Sequence, residues 1–312
     1  MKAWELGPQT GLDGLRCTER PIPLPQPGEA LIRVHAAGLN HRDLLALRGT
    51  YGPLKPQTRI PLSDGIGTIE AIVGDSRRLA PGMRVIAPHF LDWREGPYSP
   101  AFLGADLGIS HDGWLAEYVC LPTAALVPVP DGVSDASAAL LPAAGVTAWH
   151  ALTAFGGLRP GELVLVPGTG GVAIMALQIA RALGAEVAIT SSSDDKLARG
   201  RALGASYAVN YRDHPDWAAA LLAQTGGRGA DVVVDTVGLG AIEQTLAATA
   251  PNGRIALIGG LGGAAERAPN MFGLIAKNLV LKGITSGSRA MLVDLLELVG
   301  RAAIEPLVDR RF

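Results

Sequence analysis

The chain has 312 residues, 48% of them hydrophobic and 18% charged, with a formal net charge of -2, so it is long enough for two ordinary domains with real cores. Charges of both signs are interspersed without a basic block, which argues against nucleic acid as a partner. No apolar run is long enough to span a membrane, MKAWELGPQT lacks an apolar signal core, and Cys17 and Cys120 support neither a disulfide framework nor a zinc knot, so a soluble, cytoplasmic protein is expected.

Taken in order, residues 1–127 read as short strands broken by glycine and proline, at 29–37, 65–73, 83–87 and 114–121, with one helix at 41–47. That spacing predicts an irregular all-β barrel. Residues 89–112 form a long insertion rich in glycine, proline and aromatics, expected as a lid or rim with Trp93 and Tyr98 facing substrate. From about Pro128 the texture changes to strands alternating with helices. Strands are expected at 163–166, 186–190, 206–211, 230–235, 254–259 and 279–285. Helices are expected at 172–183, 196–203, 217–224, 242–250 and 272–277, in the order of a doubly wound parallel sheet.

The stretch ELVLVPGTGGVA (162–173) is an apolar strand running into a glycine turn that opens a helix. One glycine makes the turn, the next admits close approach of a pyrophosphate, and the small Ala173 lets the helix pack on the strand. Gly168, Thr169, Gly170, Gly171 and Val172 therefore form a candidate phosphate cradle, with helix-start amides to bind the charge. A glycine triplet alone is weak evidence in a chain with 40 glycines; the surrounding strand, helix, strand unit decides the reading.

The landmarks GLNHRDLLALRGTYG (38–52), PLSDGIGTIEAIVG (61–74), PGMRVIAP (81–88), LPAAGVTAWHAL (141–152), the cradle and ALGASYAVNY (202–211) together resemble the medium-chain dehydrogenase/reductase superfamily. The resemblance implies an α/β chain with a GroES-like β-barrel domain at 1–127, a Rossmann domain at 128–287, and a shortened C-terminal return to the barrel at 288–312. In the zinc-dependent alcohol dehydrogenases of that family, a cysteine, a histidine and a cysteine or acidic residue hold the catalytic metal. The corresponding positions here are Asn40, Ser63 and Ala143, none of which supplies a thiolate, imidazole or carboxylate. Residues 89–112 contain no cysteine for the family's structural zinc lobe, and His41, Asp43 and Asp64 would point elsewhere as replacement ligands. No metal is expected, and the resemblance narrows to the zinc-free branch of quinone oxidoreductases and enone reductases.

The second strand of the parallel unit ends in Thr190, Ser191, Ser192 and Ser193, where NAD-preferring relatives place an acid for the ribose hydroxyl. Hydroxyls admit a 2′-phosphate, with Lys196 as its point charge, and Lys196 and Tyr211 match positions that quinone oxidoreductases use around that phosphate. NADPH is therefore expected over NADH. Ser193 also reads as a helix cap, and Asp194 as a rival ribose carboxylate. By resemblance, Thr147 contacts the nicotinamide end, and His41 lies near the nicotinamide or its ribose. Gly238, Gly259, Gly260 and Leu261 follow predicted strands, at the edge where such sheets bind ligands.

The implied reaction is hydride transfer from NADPH to a quinone or an α,β-unsaturated carbonyl. Asn40 would donate to the substrate oxygen with Tyr51 and Ser63 as further donors; Asn40 equally reads as the cap of the helix at 41. Asp43 reads as a structural carboxylate paired with Arg48 or another cation. The apolar last strand, which in the family pairs across a dimer axis, predicts a homodimer. Competing readings are an alcohol or aldehyde oxidoreductase of the same superfamily and a non-catalytic NADPH-binding protein.

Overall fold

The computed structural model describes residues 1–7, 9–51, 58–74, 76, 78–265 and 267–312, and the chain divides into two units, Met1–Val146 with Ser286–Phe312, and Thr147–Thr285. The first unit opens with an antiparallel hairpin, β1 (Lys2–Leu6) and β2 (Leu15–Glu19). A five-stranded antiparallel sheet follows, made of β3 (Glu29–Gly38), β4 (Asp64–Ile72), β5 (Arg84–Ile86), β6 (Tyr118–Pro122) and β7 (Val127–Pro128) in the order β6-β3-β4-β5-β7. Apolar residues on one face of these strands, Ile32, Ile69, Val85, Val119 and Leu121, pack into a single core with Trp114. The strand expected at 114–121 begins only at Tyr118. Trp114 is instead buried in the core and its carbonyl accepts the Ala116 amide, a tight turn that a β ladder cannot contain.

Helix α1 (His41–Leu47) spans the residues expected of it and follows β3 at once. The short α2 (Asp135–Ala138) is tied to the sheet because Asp135 accepts from Arg84 at 2.7 Å and meets His35 Nδ1 at 2.9 Å. Helix α3 (Val146–Trp149) lies between two π-helical turns, Leu141–Gly145 and His150–Phe155. The insertion is not a loose rim at Trp93. That side chain is 1% exposed, donates to the Gly96 carbonyl, and stacks on Phe102 with Phe90 and Tyr98 beside it. Tyr98 stays partly exposed at 38%.

The second unit alternates β8 (Leu163–Pro167), α4 (Gly171–Ala182), β9 (Glu186–Ser191), α5 (Asp194–Ala202), β10 (Tyr207–Asn210), α6 (Trp217–Gln224), β11 (Ala230–Asp235), α7 (Ile242–Ala248), β12 (Thr249–Leu257), α8 (Phe272–Ala276) and β13 (Val280–Gly283). All six strands are parallel, in the order β10-β9-β8-β11-β12-β13. Every residue of β8 is buried, as a central strand covered on both faces requires. Helix α7 stops before the expected residue 250 because Thr249 turns extended and pairs with Ala230, extending β12 well ahead of residue 254. Helix α9 (Arg289–Arg301) returns to the first unit, where the Trp93 and Arg94 carbonyls accept the amides of Arg289 and Ala290. No helix among the described residues is long and apolar enough to cross a membrane.

Candidate active site

In the parallel-sheet unit the candidate cofactor residues collect at one edge for a topological reason. The chain winds from β8 through β9 to β10 on one side, then crosses to β11 on the other, leaving a crevice outside the carboxyl ends of β8 and β11. Gly168 takes φ 112, a conformation open to glycine, and its amide donates to the Thr190 carbonyl at 3.0 Å. Gly170 caps α4 without a side chain. The Ile174 amide donates back to the Gly170 carbonyl at 2.9 Å, so the amides of Gly171, Val172 and Ala173 precede the helix's own acceptors and suit an anion. Thr169 lies in the same turn.

Ser192 follows β9 and Tyr211 follows β10, with the Tyr211 amide donating to the Ser191 carbonyl at 3.0 Å. Ser193 caps α5, its Oγ accepting the Lys196 amide at 3.5 Å, while the Lys196 side chain stands exposed. The Asp194 carboxylate accepts from Asn210 Nδ2 at 3.0 Å and so is held toward β10. Gly238 follows β11, and Gly259, Gly260 and Leu261 follow β12, the Leu261 amide donating to the Thr236 carbonyl at 3.3 Å. Thr147 is buried in α3.

The sequence reading passed over Asp235, which closes β11. Its Oδ1 accepts the Val237 amide at 2.8 Å and the Gly238 amide at 2.9 Å, and its Oδ2 accepts the Thr245 hydroxyl at 3.0 Å. Burial raises its pKa against those hydrogen bonds. An acid ending the apolar run ADVVVD just before Val237 and Gly238 was the available signal.

In the antiparallel unit, Asn40 and Ser63 are brought together around Asp64, the first residue of β4. Ser63 donates its hydroxyl to Asp64 Oδ1 at 2.7 Å and the Ala143 amide donates to Oδ2 at 3.0 Å. Asn40 sits close enough to lower the pKa of the same carboxyl, while its buried Nδ2 makes no well-formed hydrogen bond and keeps a donor in reserve. Burial outweighs these contacts and pushes the Asp64 pKa up to about 6, with a small further rise from Asp43.

Asn40 is the N-cap of α1, as the cap reading expected, and forms a capping box with Asp43. The Asp43 carboxylate accepts the Asn40 amide at 2.8 Å, and Asp43 pairs with Arg42 at 3.5 Å rather than with Arg48. Arg42 also donates to the Leu107 carbonyl at 2.9 Å and lies over the Tyr51 ring at 4.7 Å, so Tyr51 belongs to the Arg42 side of α1. His41 is exposed at the first position of that helix. His89, buried and stacked on Phe90 at 4.2 Å, is held neutral: burial, with Arg42 nearby, drives its pKa well below the usual value.

Family models match both parts of the chain, an alcohol dehydrogenase GroES-like domain over residues 26–131 and a zinc-binding dehydrogenase domain over residues 171–301. A zinc-type alcohol dehydrogenase-like protein of Schizosaccharomyces pombe is 37% identical, covering 97% of this chain and 89% of the relative. The chain belongs to the medium-chain dehydrogenase/reductase superfamily. Within the superfamily, a solved structure of a candidate alcohol dehydrogenase from Sinorhizobium meliloti is 40% identical with a TM-score of 0.91, over 100% of this chain and 93% of that one. A quinone oxidoreductase from Pseudomonas syringae pv. tomato is 29% identical with a TM-score of 0.79, over 97% and 88%. A mycobacterial structure solved with NADPH is 27% identical with a TM-score of 0.78, over 97% and 90%. The chain is an oxidoreductase of this superfamily, with a GroES-like domain and a Rossmann-type parallel sheet.

The zinc that the superfamily suggests does not fit the residues present. Asp64 is surrounded by the Ser63 hydroxyl and the Ala143 N–H, which occupy its two carboxyl oxygens, and by the amide side chain of Asn40 beside them, none of which is a thiolate or imidazole. Among the described residues no three His, Cys, Asp or Glu side chains are grouped to hold a metal ion.

Proposed function

We propose that this protein is a zinc-independent, NADPH-dependent reductase of quinones or α,β-unsaturated carbonyls. The observation that carries this reading is the donor set around Asp64, which offers hydrogen bonds and a carboxyl where a Lewis acid would need thiolates and imidazoles. Acceptors already prone to reduction need the least polarisation. The dinucleotide, when bound, supplies the hydride. The amides from Gly171 to Ala173 receive its pyrophosphate, and Ser192, Lys196 and Tyr211 surround the 2′-phosphate. The tie between Asp194 and Asn210 favours NADPH by keeping that acid engaged away from a ribose. The reserve Nδ2 donor of Asn40 serves the substrate oxygen.

Turnover with a panel of quinones, enones and aldehydes, before and after exhaustive chelation, tests the reading. Quinone or enone reduction that survives chelation and prefers NADPH supports it. A stoichiometric zinc on which activity depends overturns it in favour of an alcohol or aldehyde oxidoreductase. NADPH binding without oxidation by any acceptor overturns it in favour of a non-catalytic binding protein.

The same reading includes a homodimer through β13, the edge strand of the parallel sheet. Val280 is 50% exposed on β13, and Phe272 and Ile275 on α8 are 65% and 75% exposed, an apolar edge that a second copy would cover. Sedimentation giving a monomer at micromolar concentration overturns the dimer.

A further inference from the structure

The three positions that the zinc-dependent branch gives to metal ligands converge here on one side chain. The Ser63 hydroxyl and the Ala143 amide donate to the Asp64 carboxyl at 2.7 Å and 3.0 Å, and the Asn40 side chain lies close beside it. The backbone around it is built for that convergence. Gly38 closes β3 against it: a Cβ there would stand 2.4 Å from the Ala139 carbonyl oxygen and 3.2 Å from Asp64 Cβ. Leu62, two residues before Asp64, holds φ 75, a left-handed conformation that a bulky side chain avoids. It is kept there from the outside, since the Trp114 amide donates to its carbonyl at 3.1 Å and the amides of Gly113 and Leu115 donate to the Ile60 and Pro61 carbonyls. Strain of this kind persists where the surroundings over-determine it, and it gathers at functional sites.

Among the described residues no ion pair reaches Asp64, and Arg42 of the adjoining helix is engaged by Asp43, Asp106 and the Leu107 carbonyl. On the reading proposed above, we infer that Asp64 takes the metal's organising place as a positioning residue, fixing Asn40, Ser63 and the turn at Ala143 while its charge selects among acceptors. A centre built on a divalent cation draws a developing oxygen anion inward. A centre built on a carboxylate repels it, and so favours neutral acceptors whose hydride lands on a carbon remote from oxygen over acceptors that carry a carboxylate or must form an alkoxide beside it.

The test compares the wild-type protein with Asp64→Ala and Asp64→Asn, using NADPH with 2-cyclohexenone, a carboxylate-bearing enone of similar size, and a simple aldehyde. Asp64→Ala is expected to lower kcat for the neutral enone at least about tenfold with the NADPH Kd unchanged. Asp64→Asn, which keeps the shape and removes the charge, is expected to narrow the preference for the neutral over the carboxylated enone by about tenfold or more. Unchanged kcat in the first variant and unchanged preference in the second overturn the inference. Parallel loss of NADPH affinity and kcat also overturns it, because a merely structural carboxyl would behave that way. Should Asp64→Ala fail to fold, the preference measured in Asp64→Asn decides alone. If the wild-type protein reduces no acceptor, the proposed reaction falls, and hydrogen exchange at the Ala143 amide judges the hub separately. Exchange faster by about tenfold in Asp64→Ala, which removes the acceptor, supports it, and unchanged exchange in that variant overturns it.

Discussion

At the carboxyl edge of the parallel sheet backbone amides are left open to receive a charge on the proposed reading, whereas in the antiparallel unit a carboxyl is buried and surrounded by a hydroxyl, an amide side chain and one backbone N–H. The first arrangement depends on where the chain turns and hardly on which side chains flank it, because the turn at Gly168 and the start of α4 after Gly170 leave the amides of Gly171 to Ala173 without helical acceptors whatever lies around them. The second depends wholly on side-chain identity. Replacing Asn40 or Ser63 by a metal-ligating residue would change its chemistry, while almost any residue at Thr169 leaves the cradle a cradle. A superfamily can therefore keep one nucleotide edge and vary the reaction by altering a few residues in the other unit.

The contrast breaks most visibly at Asp64. A carboxyl whose folded-state pKa of about 6 lies above its unfolded value binds its proton more tightly when folded. Its contribution to stability is therefore full at low pH and is lost as pH rises through about 6, by roughly 3 kcal/mol once ionised. Asp64→Asn should flatten that decline. Denaturant midpoints across pH are expected to show the variant gaining on the wild-type protein above about pH 6 and losing the advantage near pH 4. A constant difference across that window would show that Asp64 does not titrate as described.

On the nucleotide side, Gly168→Val forces a β-branched residue to φ 112 and should cost roughly 2 kcal/mol, about thirtyfold in NADPH Kd by calorimetry. Lys196→Ala should weaken NADPH about tenfold and leave NADH unchanged, which separates phosphate reading from general nucleotide affinity. Equal losses for both nucleotides would refute the assignment. The smallest effect belongs to Ser193→Ala, expected to lower stability by about 1 kcal/mol through loss of the α5 cap, with the ratio of NADPH to NADH affinity unchanged.

The same contrast governs what could be read from the chain. The expected helix at 217–224 and strand at 230–235 coincide with α6 and β11, because Asp216 caps the first and three consecutive valines, Val232 to Val234, make the second. Hairpin β1–β2 escaped notice because each strand is only five residues long and is held by partners in other segments of the chain. The π-helical turns on either side of α3 carry no periodic signal distinct from an ordinary helix. Trp93 looked like a rim residue inside a loop-like composition, and only the spacing of four rings in space makes it core. Asn40 and Ser63 were recognisable as substituted ligand positions. That they meet on Asp64 was not, since residues 40, 63 and 143 become neighbours only through the ends of β3 and β4 and the turn at Leu141–Gly145.

The helix that finishes the antiparallel unit is encoded after the whole parallel sheet. Until α9 leaves the ribosome, the backbone at Trp93 and Arg94 lacks the amides of Arg289 and Ala290, and Leu126 lacks the Arg289 guanidinium. During vectorial synthesis the first unit to emerge is thus the last able to complete itself, and a nascent chain stalled before residue 289 would expose an unfinished aromatic lobe to chaperones while its parallel sheet is already made.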